Sequence, residues 1–194
     1  MTIFEARSAL LVVDVQNDFV DPRGTLVVPG ADNMVPRINA DIAAARDGGA
    51  AVVYTQDWHP EETPHFAKNG GIWPVHCVHD TWGAAFHDDL VLEGPVVRKG
   101  AGGEDGYSGF TVRDPTTGAT RPTTLEAILR SAGVERVVVV GVATDYCVVE
   151  TVADARALGF AVEVPTAATR SVDLEPGDGD RALARMRDVG ADVT

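Results

Sequence analysis

An α/β fold built on a parallel sheet is the architecture this sequence predicts, and three observations predict it. Short apolar, β-branched runs alternate with segments of helical period. The apolar runs do not alternate in polarity, the pattern of strands buried on both faces. The helical segments each end in glycine, the usual stop. Strand–helix alternation implies right-handed crossovers with helices on both faces of the sheet, hence three layers, α/β/α.

In chain order, SALLVVD (8–14) reads as the first strand and NMVPRINADIAAARDGG as the first long helix. AAVVYT (50–55) and PVVRK (95–99) read as the next two buried strands, followed by the helical segment TTLEAILRSAG. RVVVVGV (136–142) is the most apolar strand and leads directly into TDYCVVETVADARALG, a helix. FAVEV (160–164), the helix DGDRALARMRDVG and a closing ADVT (191–194), a candidate sixth strand, complete the series. Two stretches break the rhythm: residues 56–94, rich in His, Trp, Pro and acidic residues, and residues 100–121, rich in Gly, Thr and Asp. Irregular segments this long in a compact domain are functional or disordered. The Trp and His content of the first favours function. No internal repeat, low-complexity tract or linker divides the chain, so residues 1–194 are expected to form one domain.

With 45% hydrophobic and 23% charged residues, the 194-residue chain has an ordinary globular composition. Its formal charge of −13 disfavours nucleic acid and anionic membrane surfaces as partners. No apolar run approaches the roughly 20 residues that span a bilayer. The first residues, with Glu5 and Arg7 ahead of a short apolar run, read as a strand rather than a signal peptide. Two cysteines, Cys77 and Cys147, are too few for a disulfide framework, so a reduced, cytoplasmic chain is expected.

Ligands of open parallel sheets bind at the carboxyl ends of the strands. Asp14 closes the first strand, Asp57 and His59 follow the second, Lys99 closes the third and Cys147 follows the fourth. All these ends share one edge. A lone helix cysteine is more often a small buried hydrophobe than a nucleophile. Cys147, however, lies in the first turn of its helix, where Thr144 or Asp145 can act as cap. Unpaired N–H groups there, and a nearby Lys⁺, are expected to lower the thiol pKa. Asp14 is either a structural carboxylate capping a turn or a general base for Cys147, with Lys99 balancing the charge.

QDWHPEETPHF and WPVHCVHD bring Asp57, His59, His65 and His76 into one loop region. Carboxylate oxygen and imidazole nitrogen suit one divalent metal ion, Zn²⁺, Fe²⁺ or Mn²⁺. A loop of histidines bonded to solvent is the plainer alternative. His79 and His87 fall outside the pattern and read as surface residues, and Cys77 as packing inward. Phe19, Trp73 and Tyr107, each in a loop beyond a strand, are core filling singly and together a slot for a flat ring.

DVQNDF, QDWHP, WPVHCV, RKG followed by YSGF, and GVATDYCV, in this order, resemble the nicotinamidases (pyrazinamidases) of the isochorismatase-like cysteine hydrolases, along nearly the whole chain. The resemblance implies a six-stranded parallel sheet of order 3-2-1-4-5-6 with the site at the switch point between the first and fourth strands. It implies a catalytic triad of Asp14, Lys99 and Cys147, with Asp57, His59 and His76 on the metal and His65 at a position of variable residue type. It also implies a cis peptide at Val142–Ala143 and an oxyanion hole from the Ala143 and Cys147 N–H groups. Phe19, Trp73, Tyr107, Val142, Ala143 and Tyr146 then form the substrate pocket. AGGEDG, between Lys99 and Tyr107, departs from the family in a segment of variable length. The implied activity is hydrolysis of nicotinamide to nicotinate and ammonia in NAD salvage, with pyrazinamide as an analogue; homo-oligomerisation is left open. Two alternatives remain at this point. One is a cysteine amidohydrolase of the same family acting on N-carbamoyl or ureido substrates, against which the metal loop counts. The other is a non-catalytic scaffold, against which the intact triad counts.

Overall fold

A computed structural model describes Thr2 and residues 4–194 of the chain. The strands of the main sheet are β1 (Ser8–Val13), β2 (Ala51–Asp57), β3 (Val96–Lys99), β6 (Arg136–Val142), β7 (Ala161–Val164), β8 (Thr169–Arg170) and β9 (Asp192–Val193); β4 (Thr111–Arg113) and β5 (Thr120–Pro122) form a separate antiparallel hairpin. The sheet path runs β3-β2-β1-β6-β7-β9, parallel throughout, and β8 pairs with the end of β6. The parallel three-layer class is as expected. The sheet differs in detail from the six-stranded expectation: β8 makes it seven-stranded, and the hairpin intervenes in sequence between its third and fourth strands.

Residue alternation along β1 sorts the core into two layers. Leu10 and Val12 join Val35, Ile38, Ile42 and Ala45 of helix α2 (Val35–Asp47) on one face. Ala9, Leu11 and Val13 join the opposite layer. There they meet α3 (Leu125–Ser131), α4 (Val149–Ala157) and α5 (Asp178–Asp188) through Leu125, Leu129, Val152 and Met186. Side chains of a strand point alternately to opposite faces, so a central strand covered by helices on both sides must be apolar at every position. β1 is buried along its whole length.

Two expectations need correcting. PVVRK was expected as a fully buried strand, but β3 is the sheet edge and its burial alternates, with Val96 exposed and Val97 and Lys99 buried. The 100–121 stretch is not wholly irregular, since it contains the β4–β5 hairpin. A one-turn helix, α1 (Asn17–Val20), occupies DVQNDF, where no helical period was legible in four residues.

The strand registers bring the polar residues together. Asp57 is the register partner of Lys99, and Val13, just before Asp14, is the partner of both Thr55 and Gly141. Gly141 has φ +112°, and a Cβ there would stand 2.1 Å from the Val13 carbonyl oxygen. Only glycine permits this approach of β6 to β1. Gly141→Ala is expected to lower unfolding free energy by about 2–3 kcal/mol, from the unfavourable backbone conformation and the clash; a denaturant titration of both proteins measures it.

Candidate active site

Asp14 leaves β1 with φ +51°, a left-handed conformation that aspartate tolerates better than most residues. The turn aims its carboxylate along the strand-end edge. Lys99 Nζ lies 2.8 Å from Asp14 Oδ2, 2.8 Å from Asp57 Oδ1 and 3.4 Å from Cys147 Sγ. It also donates to the Gly106 carbonyl, and Thr55 Oγ1 donates to Asp14 Oδ1 at 2.7 Å. All of Asp14, Asp57, Lys99 and Cys147 are buried. The three residues assigned to the triad from separate parts of the sequence therefore share one crevice.

Burial raises the Asp14 carboxyl to about 6; Lys99 opposes that rise and the Asp57 charge adds to it. Burial likewise opposes ionisation of Asp57, yet Lys99 and the adjacent imidazoles hold its carboxyl well below the usual range. Burial works against the Lys99 charge too, but the two carboxylates more than compensate and it stays an ammonium. For Cys147 the outcome differs from expectation. Desolvation, with the Asp14 and Asp57 charges, pushes its thiol well above the ordinary value despite Lys99. The expected helix caps are absent as well: Asp145 accepts from the Val172 and Asp173 N–H groups, and Thr144 bonds Thr169. Cys147 sits in a π-type turn, Thr144–Val148, in which the Ala143 carbonyl accepts from the Val148 N–H at 3.0 Å. Burial thus favours the thiol form of this sulfur, and the Asp14 carboxylate lies nearby. The Val142–Ala143 peptide is cis.

Beside this trio, ring nitrogens of His59, His65 and His76 converge within 4.8 Å of one another. Asp57 Oδ2 lies 3.7 Å from His59 Nε2 and 3.9 Å from His76 Nε2. Asp57 therefore faces Lys99 with one oxygen and the imidazoles with the other. Burial lowers His76 to about 4 and also lowers His65, so both rings are neutral near pH 7.

A cavity of about 440 Å³, counting its open mouth, ends at these groups. Phe19, Trp73, Tyr107, Val142, Ala143 and Tyr146 all line it, together with Cys147, Asp57, His65 and His76. Trp73 Nε1 donates to the Tyr107 hydroxyl at 2.9 Å, and Trp73 meets Tyr146 edge-on with centroids 4.8 Å apart. Tyr107 is thus a wall of the pocket even though the preceding AGGEDG departs from the family. Cys77 is fully buried, His79 is exposed and His87 is half-buried.

Residues 8–194 match the model of the isochorismatase domain. The chain belongs to the isochorismatase family. It is 37% identical to the nicotinamidase of Escherichia coli K12, over 94% of this chain and 92% of that protein. The pyrazinamidase of Pyrococcus horikoshii, solved in complex with zinc, superposes with a TM-score of 0.86 at 40% identity, covering 97% and 98% of the two chains. PnC1 of L. infantum, solved with nicotinate, superposes with a TM-score of 0.89 at 35% identity, covering 100% and 95%.

The isochorismatase-family site in this chain fits a divalent metal on its own geometry. Both ring nitrogens of His59 are buried without a hydrogen-bond partner, a costly state that coordination of a metal ion by one of them would relieve in part. His76 Nδ1 lies 2.8 Å from the Pro74 carbonyl oxygen. A carbonyl can only accept, so Nδ1 carries the proton and Nε2 keeps its lone pair for coordination. Gly100 leaves the room His59 needs, since a Cβ there would come within 2.5 Å of its ring.

Several supporting residues escaped the sequence reasoning. Gln16 clamps Asp57 by receiving its N–H at 2.8 Å and donating to its carbonyl at 2.8 Å. Asp18 accepts from the Cys77 N–H at 2.7 Å and the Thr25 N–H at 3.1 Å, tying the His76 loop to the segment that supplies Leu26 and Val28 to the cavity. Both lie in DVQNDF, whose polar density was the available signal. Leu26, Val28 and Val172 carried none, being ordinary apolar residues in loops.

Proposed function

We propose that this chain, acting as a single domain, hydrolyses nicotinamide to nicotinate and ammonia through a thioester on Cys147. The observation that carries the assignment is the Lys99 ammonium in contact with both the Asp14 carboxylate and the Cys147 sulfur at the end of an aromatic-walled pocket. The nicotinamidase and pyrazinamidase relatives support the carboxamide substrate, and nicotinate bound to the L. infantum protein supports the product.

The chemistry follows from the protonation states. Asp14 takes the thiol proton as the sulfur attacks the carboxamide carbon, so no free thiolate need persist in this buried site. Lys99 offsets the negative charge shared by Asp14 and the sulfur. Backbone N–H groups of Ala143 and Cys147 receive the developing oxyanion. Asp14 returns its proton to the leaving nitrogen, and ammonia departs. The same carboxylate then takes a proton from water, which attacks the thioester; nicotinate leaves and the thiol is restored. Phe19, Trp73, Tyr107, Val142 and Tyr146 hold the ring.

Asp57, His59, His65 and His76 would hold one divalent ion, zinc, iron or manganese, which supplies a Lewis-acid contact for the ring nitrogen. Pyrazinamide offers the same ring-nitrogen contact and is assigned as a second substrate. The reaction is a step of NAD salvage. No helix among the described residues is long and apolar enough to cross a membrane, and we assign the protein to the reducing cytoplasm, which keeps its two thiols free.

Ammonia release from nicotinamide is expected from the wild type, with kcat reduced by about three orders of magnitude or more in Cys147→Ala. Activity surviving that change would remove the nucleophile assignment. The pH profile has a definite sign. Asp14 must be a carboxylate to accept the thiol proton, and its folded value near 6 lies above the ordinary one. kcat/KM is therefore expected to fall about tenfold per pH unit below that value and to level off above it.

A further inference from the structure

His65 reaches the metal-facing cluster from a different part of the loop than His59 and His76, and its orientation depends on one contact. His65 Nδ1 lies 2.8 Å from Asp105 Oδ1. The pair is nearly enclosed, with side-chain exposures of 5% and 17%. Asp105 belongs to AGGEDG, the segment that departs from the family pattern. The chain anchors it firmly there: the Asp105 N–H donates to the Arg113 carbonyl at 2.8 Å, and the Arg113 N–H donates back at 2.9 Å. The β4–β5 hairpin thus braces the residue from behind. Thr63 adds a second tie, donating to the Gly103 carbonyl at 3.0 Å while receiving the His65 N–H at 3.2 Å.

We infer that Asp105 is a positioning residue that holds His65 as a metal ligand in this chain. A carboxylate beside Nδ1 retains the proton on that nitrogen and leaves the Nε2 lone pair for coordination. It also fixes the ring plane, which stacks on His59 at a centroid distance of 4.6 Å and an interplanar angle of 18°. His76 obtains the same service from the Pro74 carbonyl, a neutral acceptor. Asp105 supplies a carboxylate oxygen, a stronger acceptor than a carbonyl. The neighbouring Gly106 carbonyl accepts from Lys99, so this glycine-rich segment braces the metal cluster and the triad with adjacent residues. A side chain at Gly106 would collide with Lys99, its Cβ falling 2.7 Å from that of the lysine.

The inference rests on the metal-holding role of His59, His65, His76 and Asp57, and its test separates the two. Zn²⁺ affinity is measured by competition with a chromophoric chelator for the wild type, Asp105→Ala, Asp105→Asn, His65→Ala and the Asp105→Ala/His65→Ala double variant. Absorption spectra of the Co²⁺-loaded proteins report the ligand set. Asp105→Ala is expected to weaken Zn²⁺ binding about 10- to 100-fold and to shift the Co²⁺ spectrum toward that of His65→Ala. Asp105→Asn, which keeps an acceptor, should recover most of the affinity. In the His65→Ala background the loss of Asp105 should change affinity less than about twofold, because coupled residues are not additive. Unchanged affinity in Asp105→Ala, or an equal loss with and without His65, would overturn the positioning role while leaving the metal site standing. A wild type that binds no Zn²⁺ would remove the metal site itself. If Asp105→Ala does not fold, imidazole ¹⁵N shifts of the wild-type Zn²⁺ form decide the matter: a His65 ring protonated on Nδ1 supports the role, and one protonated on Nε2 refutes it.

Discussion

Two carboxylates and one ammonium, all shielded from solvent, meet where strands β1, β2 and β3 end. Lys99 lies 2.8 Å from both Asp14 and Asp57, and each of the three would be costly to bury alone. Removing one member of such a pair strands the other charge, at about 3–5 kcal/mol. The arrangement also leaves one negative charge in excess, on the side where the imidazoles of His59, His65 and His76 gather. Charge balance in the trio and the affinity of the neighbouring cluster for a cation are therefore two aspects of one constraint, and Asp57 belongs to both.

The sheet makes this meeting obligatory. Parallel pairing puts every strand's carboxyl end on the same edge, and the register sets Asp57 opposite Lys99. Asp14 follows Val13, which is paired on both sides, so its position is set by two neighbours at once. Cys147 arrives from the end of β6, the strand on the other side of β1. Cys147 and Asp14 thus flank the topological switch point, where an open α/β sheet leaves a crevice. Strands and strand ends carry the charges, loops carry Trp73, Tyr107 and the histidines, and short helical turns carry Phe19 and Tyr146.

Much of this was legible in the residues. The fold class followed from unalternating β-branched runs, and every strand-end polar residue named from the sequence lies at the site. His65 and Tyr107, the two positions hardest to place from the sequence, are both in contact with it. What escaped had physical reasons. β3 is an edge strand whose alternation is spoken over only four residues, two of them polar. Gln16 and Asp18 act through backbone groups of residues about 41 and 59 positions away, a relationship no local pattern encodes. The thiol of Cys147 was misjudged because a helix start and a lysine both lower a thiol pKa, whereas burial and two nearby carboxylates act more strongly in the opposite direction. A nucleophile kept as a thiol until its base accepts the proton suits a buried site better than a standing thiolate.

The most direct test of this account is a single-turnover reaction with nicotinamide, quenched in acid and mapped by peptide mass. A transient nicotinoyl group is expected on the peptide that carries Cys147, formed by the wild type and lost when Lys99 is replaced by methionine. Nicotinate appearing with no acylated peptide at any time, or an undiminished adduct without the lysine, would contradict it.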